Sequence, residues 1–231
     1  MNHNEPQLDI RKTQRRLLIR AGLFYVILAM LLFMPAGSFH YWQGWLYYGF
    51  ISIPSMATLM YLWKYDPALL SRRARKREKQ KTQQWIVRLM GFLFFAGLII
   101  AGLDHRHLGS AVPAALVLIA DVFVFLGYTM IFFVFRENTY ASRIIEVEQG
   151  QQVISTGPYA LVRHPMYLGA ILFYLFTPLA LGSYWALIPF ALLPPLIVFR
   201  LLQEETLLRD QLPGYPDYCQ KTRYRLIPLL W

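Results

Sequence analysis

Apolar residues in this chain are gathered into long blocks rather than spread at the spacing of a half-buried helix or strand. Blocks at 17–36, 45–63, 86–103 and 112–135 are of the order of the 17–25 residues a helix needs to cross a bilayer, and they predict four spanning helices. Two further blocks, 167–181 and 185–202, are parted only by Gly182-Ser183-Tyr184 and predict a tight helical hairpin. Pro178 and the Pro194-Pro195 pair predict kinks in it, with freed carbonyls that need neighbours, so a partial crossing and a full one both stay open. The expected fold is an all-α integral membrane protein of about six hydrophobic helices. It divides into an N-terminal four-helix region, 1–135, with a basic loop at 64–88, and a C-terminal core, 136–231.

Composition agrees, and charge adds an orientation. The 231 residues are 56% hydrophobic and only 16% charged, against about 25% charged in a soluble domain. All but one of the 23 Lys and Arg fall in the segments 1–20, 64–88, 136–166 and 200–231, the exception being Arg106. An even number of crossings between these segments puts them on one side, and the positive-inside rule then places both termini in the cytoplasm. The net charge of +10 is thus mainly a topology signal. The basic run from Arg72 to Lys79 lies between two spans, where anionic lipid headgroups suffice as partners, so it predicts no nucleic-acid contact. The basic patch from Arg11 to Arg20 precedes an apolar stretch too long, and too poor in small residues at its end, for a cleaved signal, so a retained first helix is expected. Aromatic clusters such as Tyr41-Trp42 with Trp45, and Tyr184-Trp185, are expected at the interfaces as anchors.

Several chemistries leave no trace. Cys219 is the single cysteine, which excludes an internal disulfide and a thiolate metal cluster. No glycine-rich dinucleotide or phosphate loop and no His-Glu-x-x-His motif occurs, and no metal site is predicted. His105 and His107, in a short outer loop, lack a third ligand. Asp121, in mid-span, is either functional or a packed, hydrogen-bonded carboxyl.

Polar residues from Arg136 to Pro165 form a connector far longer than the usual 4–6 residues or so, punctuated by Gly150 and Gly157-Pro158. An ordered loop folded back on the helices is expected. It ends in Gly157-Pro158-Tyr159, then Val162-Arg163-His164-Pro165-Met166-Tyr167 and Gly169. Downstream come Arg200, Glu204 and Glu205, then Tyr215, Tyr218, Thr222, Arg223, Arg225 and Pro228. From Asn138 to Pro228 this combination resembles the isoprenylcysteine carboxyl methyltransferase family, and more loosely the related phospholipid N-methyltransferases. The resemblance implies a membrane enzyme using S-adenosyl-L-methionine, with its cofactor region on the cytoplasmic side. Carried over position by position, it implies cofactor contacts at Gln151, Gln152, Val153 and Ile154, at Tyr159, at His164, Pro165, Met166 and Tyr167, and at Glu204. Arg200 would face the acceptor. Either Arg223 or Arg225 can match the family's C-terminal arginine.

The residue types suit that ligand on their own chemistry. A carboxylate such as Glu204 pairs with an ammonium, and the rings of Tyr159 and Tyr167 present electron-rich faces to a sulfonium. The backbone of 151–154 could meet an adenine edge as a short strand-like clip. Residues four apart share a helix face, so Arg200 and Glu204 project together, although an intrahelical ion pair would use the same spacing. A carboxylate acceptor, with a pKa near 3.5 or so, arrives ionised and needs no base; Arg200 could hold one oxygen and leave the other to attack. An amine acceptor would need a base, for which Glu205 and His164 are the candidates. The acceptor is expected to be lipophilic, foremost an isoprenylcysteine-like carboxylate. Phospholipid amines and small thiols stay open, and so, in another class, does a nicotinamide-dependent membrane reductase.

Overall fold

A computed structural model describes residues 10–74, 81–141 and 144–231. Much of the basic run, 75–80, lies outside the described residues. The helices are α1 (Ile10–Ala36), α2 (Trp42–Tyr65), α3 (Pro67–Ala74), α4 (Lys81–Leu103), α5 (Ala114–Glu137), α6 (Pro165–Ala180), α7 (Leu187–Ala191), α8 (Leu193–Gln211) and α9 (Tyr215–Lys221). Among the described residues there is no strand, so the fold is all-α.

Four stretches are long and apolar enough to cross a membrane: Ile19–Ala36, Lys81–Leu108, Ala114–Glu137 and Leu187–Gln211. Large apolar side chains on their outer faces, among them Met34, Phe92 and Ile119, are exposed, as expected of surfaces that meet lipid rather than water. The second predicted block is also a long helix, α2, yet it is not among those four. Its Trp, Tyr, Ser and Lys residues dilute its apolar character.

The hairpin departs from expectation in its second arm. Helix α6 has 16 residues, about 24 Å at the α-helical rise, and Pro178 sits in its last turn without ending it. After the turn the chain forms short α7, breaks at Leu192, and restarts as α8 with the Pro pair in its first turn. There the missing N–H groups cost nothing, because the first turn has no intrahelical acceptor for them. The Pro pair starts a helix instead of kinking one.

Small residues let the helices approach closely, which is how packing is gained where lipid supplies no hydrophobic drive between helices. Gly127 of α5 and Gly169 of α6 cross backbone to backbone: a Cβ on either would come within 2.6 Å of the other's carbonyl oxygen. Phe123 and Phe176 stack further along the same interface, 4.3 Å between ring centres. At one end of the bundle Tyr41 donates to the Leu181 carbonyl and stacks on His105, while Asp104, fully buried, accepts from Ser110 and Ser183. Asp104 thereby ties the α4–α5 loop to the hairpin turn. The opposite end gathers α3, the polar loop after α5, the start of α6, the end of α8, and α9.

Candidate active site

The α5–α6 crossing fixes where the polar loop begins and ends. From the end of α5, Asn138 donates to the Tyr159 hydroxyl (2.8 Å) and accepts from the Tyr140 N–H (2.9 Å). Glu137 accepts from Thr156 and lies against Gly157, whose φ of +57° no L side chain adopts readily. Tyr159 is held from the other side by Tyr218 of α9, which donates to its carbonyl at 2.7 Å. Val147, Val153, Tyr159 and Leu208 pack with Leu212, Tyr215 and Tyr218 in one apolar cluster. The described part of the loop is therefore folded onto the helices, as its length suggested. Residues 151–154 form no strand; Gln151 exchanges hydrogen bonds with Glu148, its N–H donating to the carbonyl (3.1 Å) and its Oε1 accepting from the N–H (3.0 Å), and Val153 packs in the apolar cluster.

Helix α3 clamps the same loop. Arg72 pairs with Glu148 (2.8 Å), donates to the Thr139 carbonyl (2.9 Å) and lies over the Tyr140 ring. Arg73 donates to the Ala141 carbonyl (3.0 Å) and lies over Phe135, 4.1 Å from the ring centre. The start of the basic run thus has protein partners, which corrects the expectation that lipid headgroups alone would occupy it.

The Arg-His-Pro turn is pinned by backbone. Arg163 and His164 donate their N–H groups to the carbonyls of Tyr224 and Arg225 (2.9 and 3.0 Å). The His164 carbonyl then accepts from Tyr167 and Leu168 at the start of α6, where Pro165 occupies the first turn. Beneath the turn lies buried Glu205, bound by Arg163 (2.8 Å), Arg225 (2.6 Å) and more exposed Arg209 (3.1 Å). Arg225, not Arg223, is the inward C-terminal arginine.

A cleft of about 220 Å³ lies between these parts. Gln151, Gln152, Val153, Ile154, Tyr159, His164, Pro165, Met166, Tyr167, Arg200 and Glu204 all line it. Tyr167 donates to Glu204, so the turn and α8 meet directly. Glu205 is absent from the wall. Residues with no assigned role line it as well, notably Arg73, Glu146 and Tyr215; Glu146 and Tyr215 stood within the quoted segments, but only their three-dimensional placement gives them a part. Behind the wall, Gln83 of α4 accepts from Arg200 at 2.8 Å, and nothing in its sequence neighbourhood singles it out.

Residues 111–212 match the phospholipid methyltransferase family. The matched stretch runs from just before α5 through the polar loop and α6 to the end of α8, and leaves α1 to α4 and α9 outside it. It reaches the broader family and not specifically the isoprenylcysteine carboxyl methyltransferases. It supports a methyltransferase of this membrane-bound kind and does not favour the reductase alternative. No curated protein matches the chain.

Whether the wall suits S-adenosylmethionine can be judged from its atoms. Glu146 and Glu204 supply carboxylates, Arg73, Arg163 and Arg200 supply cations, and Tyr159 and Tyr167 supply ring faces, a set that matches a ligand carrying an ammonium, a carboxylate and a sulfonium. Three buried polar atoms of wall residues, Nε of Arg163, Nε2 of His164 and the Tyr215 hydroxyl, have no partner within the protein, and buried polar atoms are normally satisfied. Burial lowers the His164 imidazole to about 4, Arg163 and Arg225 push the same way, and Glu205 opposes them. Burial raises the Tyr215 phenol, keeping it protonated. A neutral imidazole and a phenol suit hydrogen bonds to a ligand rather than charge neutralisation.

Proposed function

We propose that this chain is a multi-pass membrane methyltransferase that uses S-adenosyl-L-methionine and methylates a lipophilic acceptor, foremost the carboxylate of an isoprenylcysteine-like molecule. The observation that carries the reading is the junction of Tyr167 with Glu204 in one cleft, within a stretch that matches phospholipid methyltransferases. Both termini would lie in the cytoplasm with the cleft, so that the cofactor arrives from water and the acceptor from lipid.

Bound there, the cofactor supplies an electrophilic methyl group on a sulfonium. The chain's own contribution is positioning. Glu204 and Glu146 would pair with an ammonium, residues 151–154 and Tyr159 would enclose the adenosine end, and His164, Pro165, Met166 and Tyr167 would close the cleft. Holding an acceptor in line in a site shielded from water is worth about 7–11 kcal/mol of barrier in favourable cases. Arg200 would hold one oxygen of an acceptor carboxylate and turn the other towards the reacting carbon.

The two residues that could serve an amine acceptor as base bear on its class. Glu205, which does not line the cleft, is engaged by the guanidinium groups of Arg163, Arg209 and Arg225, and His164 near 4 is a poor match for an ammonium of pKa around 10. Both candidates for an amine base are thereby weakened, which favours an acceptor that arrives ionised. The family match keeps phospholipid amines as the second reading. Transfer of a labelled methyl group, assayed in detergent over prenyl-thioether acids, lipid amines and thiols, separates them. Turnover of the acids alone, lost on Arg200→Ala, is expected; turnover of amines alone, or no turnover at all, contradicts the carboxylate reading.

A further inference from the structure

We propose that the turn formed by residues 227–231 is a foot set in the lipid headgroup region on the cleft side of the membrane, with Lys221 and Arg223 beside it to meet anionic lipid. Neither the family match, which stops at residue 212, nor the cleft wall gives this segment a part. Its sequence, Ile227-Pro228-Leu229-Leu230-Trp231, carries no charge. Leu229 and Leu230 are 87% and 76% exposed, and Ile227 and Trp231 are exposed as well. Contiguous apolar exposure of this kind marks a surface that meets a protein or a membrane.

Height along the bundle favours the membrane. Leu226, just before the turn, is buried in one apolar cluster with Tyr167 of α6 and with Ile197 and Leu201 of α8. Phe199 and Leu202 lie within about 3 Å of Leu201 along the α8 axis, and both are exposed within the spanning stretch Leu187–Gln211. The surface at that height therefore faces lipid, and Leu226 carries the turn to it.

Backbone and charge agree with that placement. The N–H groups of Leu226 and Ile227 donate to the backbone oxygen of Trp231 (both 3.0 Å), those of Leu230 and Trp231 donate to the Ile227 carbonyl (3.2 and 3.0 Å), and Pro228 has none. Donors closed within the turn suit a place poor in water. Leu229 has a φ of +67°, where glycine is relaxed and a β-carbon is strained. Its exposed side chain gains nothing from water; lipid supplies the compensating contact. Lys221 and Arg223 are exposed, and Arg225 lies over the Trp231 ring, 5.3 Å from its centre. Cations beside an apolar turn that bears a tryptophan suit a leaflet containing anionic lipid. A second copy packed about a two-fold axis would instead set these cations against themselves. Because Arg163 and His164 donate to the carbonyls of Tyr224 and Arg225, the foot also holds the Arg-His-Pro turn at the membrane surface.

The test uses the full-length chain in nanodiscs of phosphatidylcholine with phosphatidylglycerol. Cys219→Ser removes the single thiol, and Leu229→Cys then carries an environment-sensitive fluorophore. Asp217→Cys, exposed on α9, serves as the water-facing reference, and Ile119→Cys, exposed on α5, as the lipid-facing one. Lipids with a nitroxide near the headgroup should quench the label at 229 about threefold or more over that at 217, and aqueous iodide should quench it about threefold less. Iodide quenching equal to that at 217, without quenching by lipid, puts the turn in water and overturns the proposal. Protection from both quenchers puts it against protein and overturns it too. Should the Leu229 variant fail to fold, Leu230→Cys takes the label through the same comparison with the same overturning results. Omitting phosphatidylglycerol should reduce the quenching by lipid, and Lys221→Gln with Arg223→Gln should abolish that dependence; no dependence in the chain with both cations overturns the anionic partner. None of these readouts requires methyl transfer, so a failure here leaves the proposed activity untouched.

Discussion

At His164 the backbone and the side chain answer to different demands. Its N–H and carbonyl are spent on holding the turn, while its imidazole is buried with Nε2 unpartnered on the cleft wall. The folded value of about 4 lies below the ordinary 6.5, so above pH 6.5 neither state binds the proton. As the pH falls from 6.5 towards 4, the unfolded chain takes up a proton that the folded chain refuses, and stability should drop by up to about 3 kcal/mol. Thermal unfolding in detergent across that window should show the loss, and His164→Gln should flatten it; an unchanged slope in the variant would assign the titration elsewhere. Glu205 has the opposite character, a buried anion among cations. Glu205→Gln leaves Arg163 buried beside a neutral amide, and breaking a buried pair costs about 3–5 kcal/mol. The expected outcome is a markedly lower unfolding temperature; a stable protein with activity lost would instead return Glu205 to the chemistry. The adjacent carboxylates Glu204 and Glu205 thus separate by helix geometry, one facing the cleft and the other the arginines, a division their common sequence context does not announce.

Among elements, the α5–α6 crossing positions the site, because it sets the end of one helix beside the start of the other. Gly127→Val should gain about 0.4 kcal/mol of helix propensity. The new Cβ, however, meets a backbone oxygen that cannot swing aside, and overpacking of this kind costs about 1–3 kcal/mol. Net destabilisation is expected by thermal unfolding, together with weaker S-adenosylhomocysteine binding; a more stable variant would mean that the two helices separate freely. Long apolar blocks made the helices legible, and α1, α4 and α5 lie where those blocks do. The restart of α8 at Leu193, with Pro194-Pro195 in its first turn, is not legible in the sequence, because a proline pair reads alike as a kink or a first turn until neighbouring residues decide. Docking of α3 onto the polar loop was hidden for a related reason: Arg72 and Arg73 look like their charged neighbours, and only the fold brings Glu148 and Phe135 to them.

For the molecule as a whole, the two ends of the bundle have different work. One end is closed by Tyr41, Asp104 and Ser183 through contacts that are complete within the protein. The other carries the cleft, the arginine-bound Glu205 and, among the described residues, basic side chains such as Arg72, Arg73 and Arg163, with Arg106 at the far end beside Gly37. Sequence motifs drew together much of the cleft's lining because those residues are close in the chain or lie in a recognisable spacing. They named Tyr215 without a role and could not single out Arg73 on the wall or Gln83 behind it, which long-range packing places there. Calorimetric titration of S-adenosylhomocysteine into the purified protein tests the central claim most directly. Saturable one-to-one binding to the wild-type chain, lost in Glu204→Ala while the variant stays folded, is the predicted result. Absence of binding at millimolar ligand, or binding undiminished in Glu204→Ala, would contradict it.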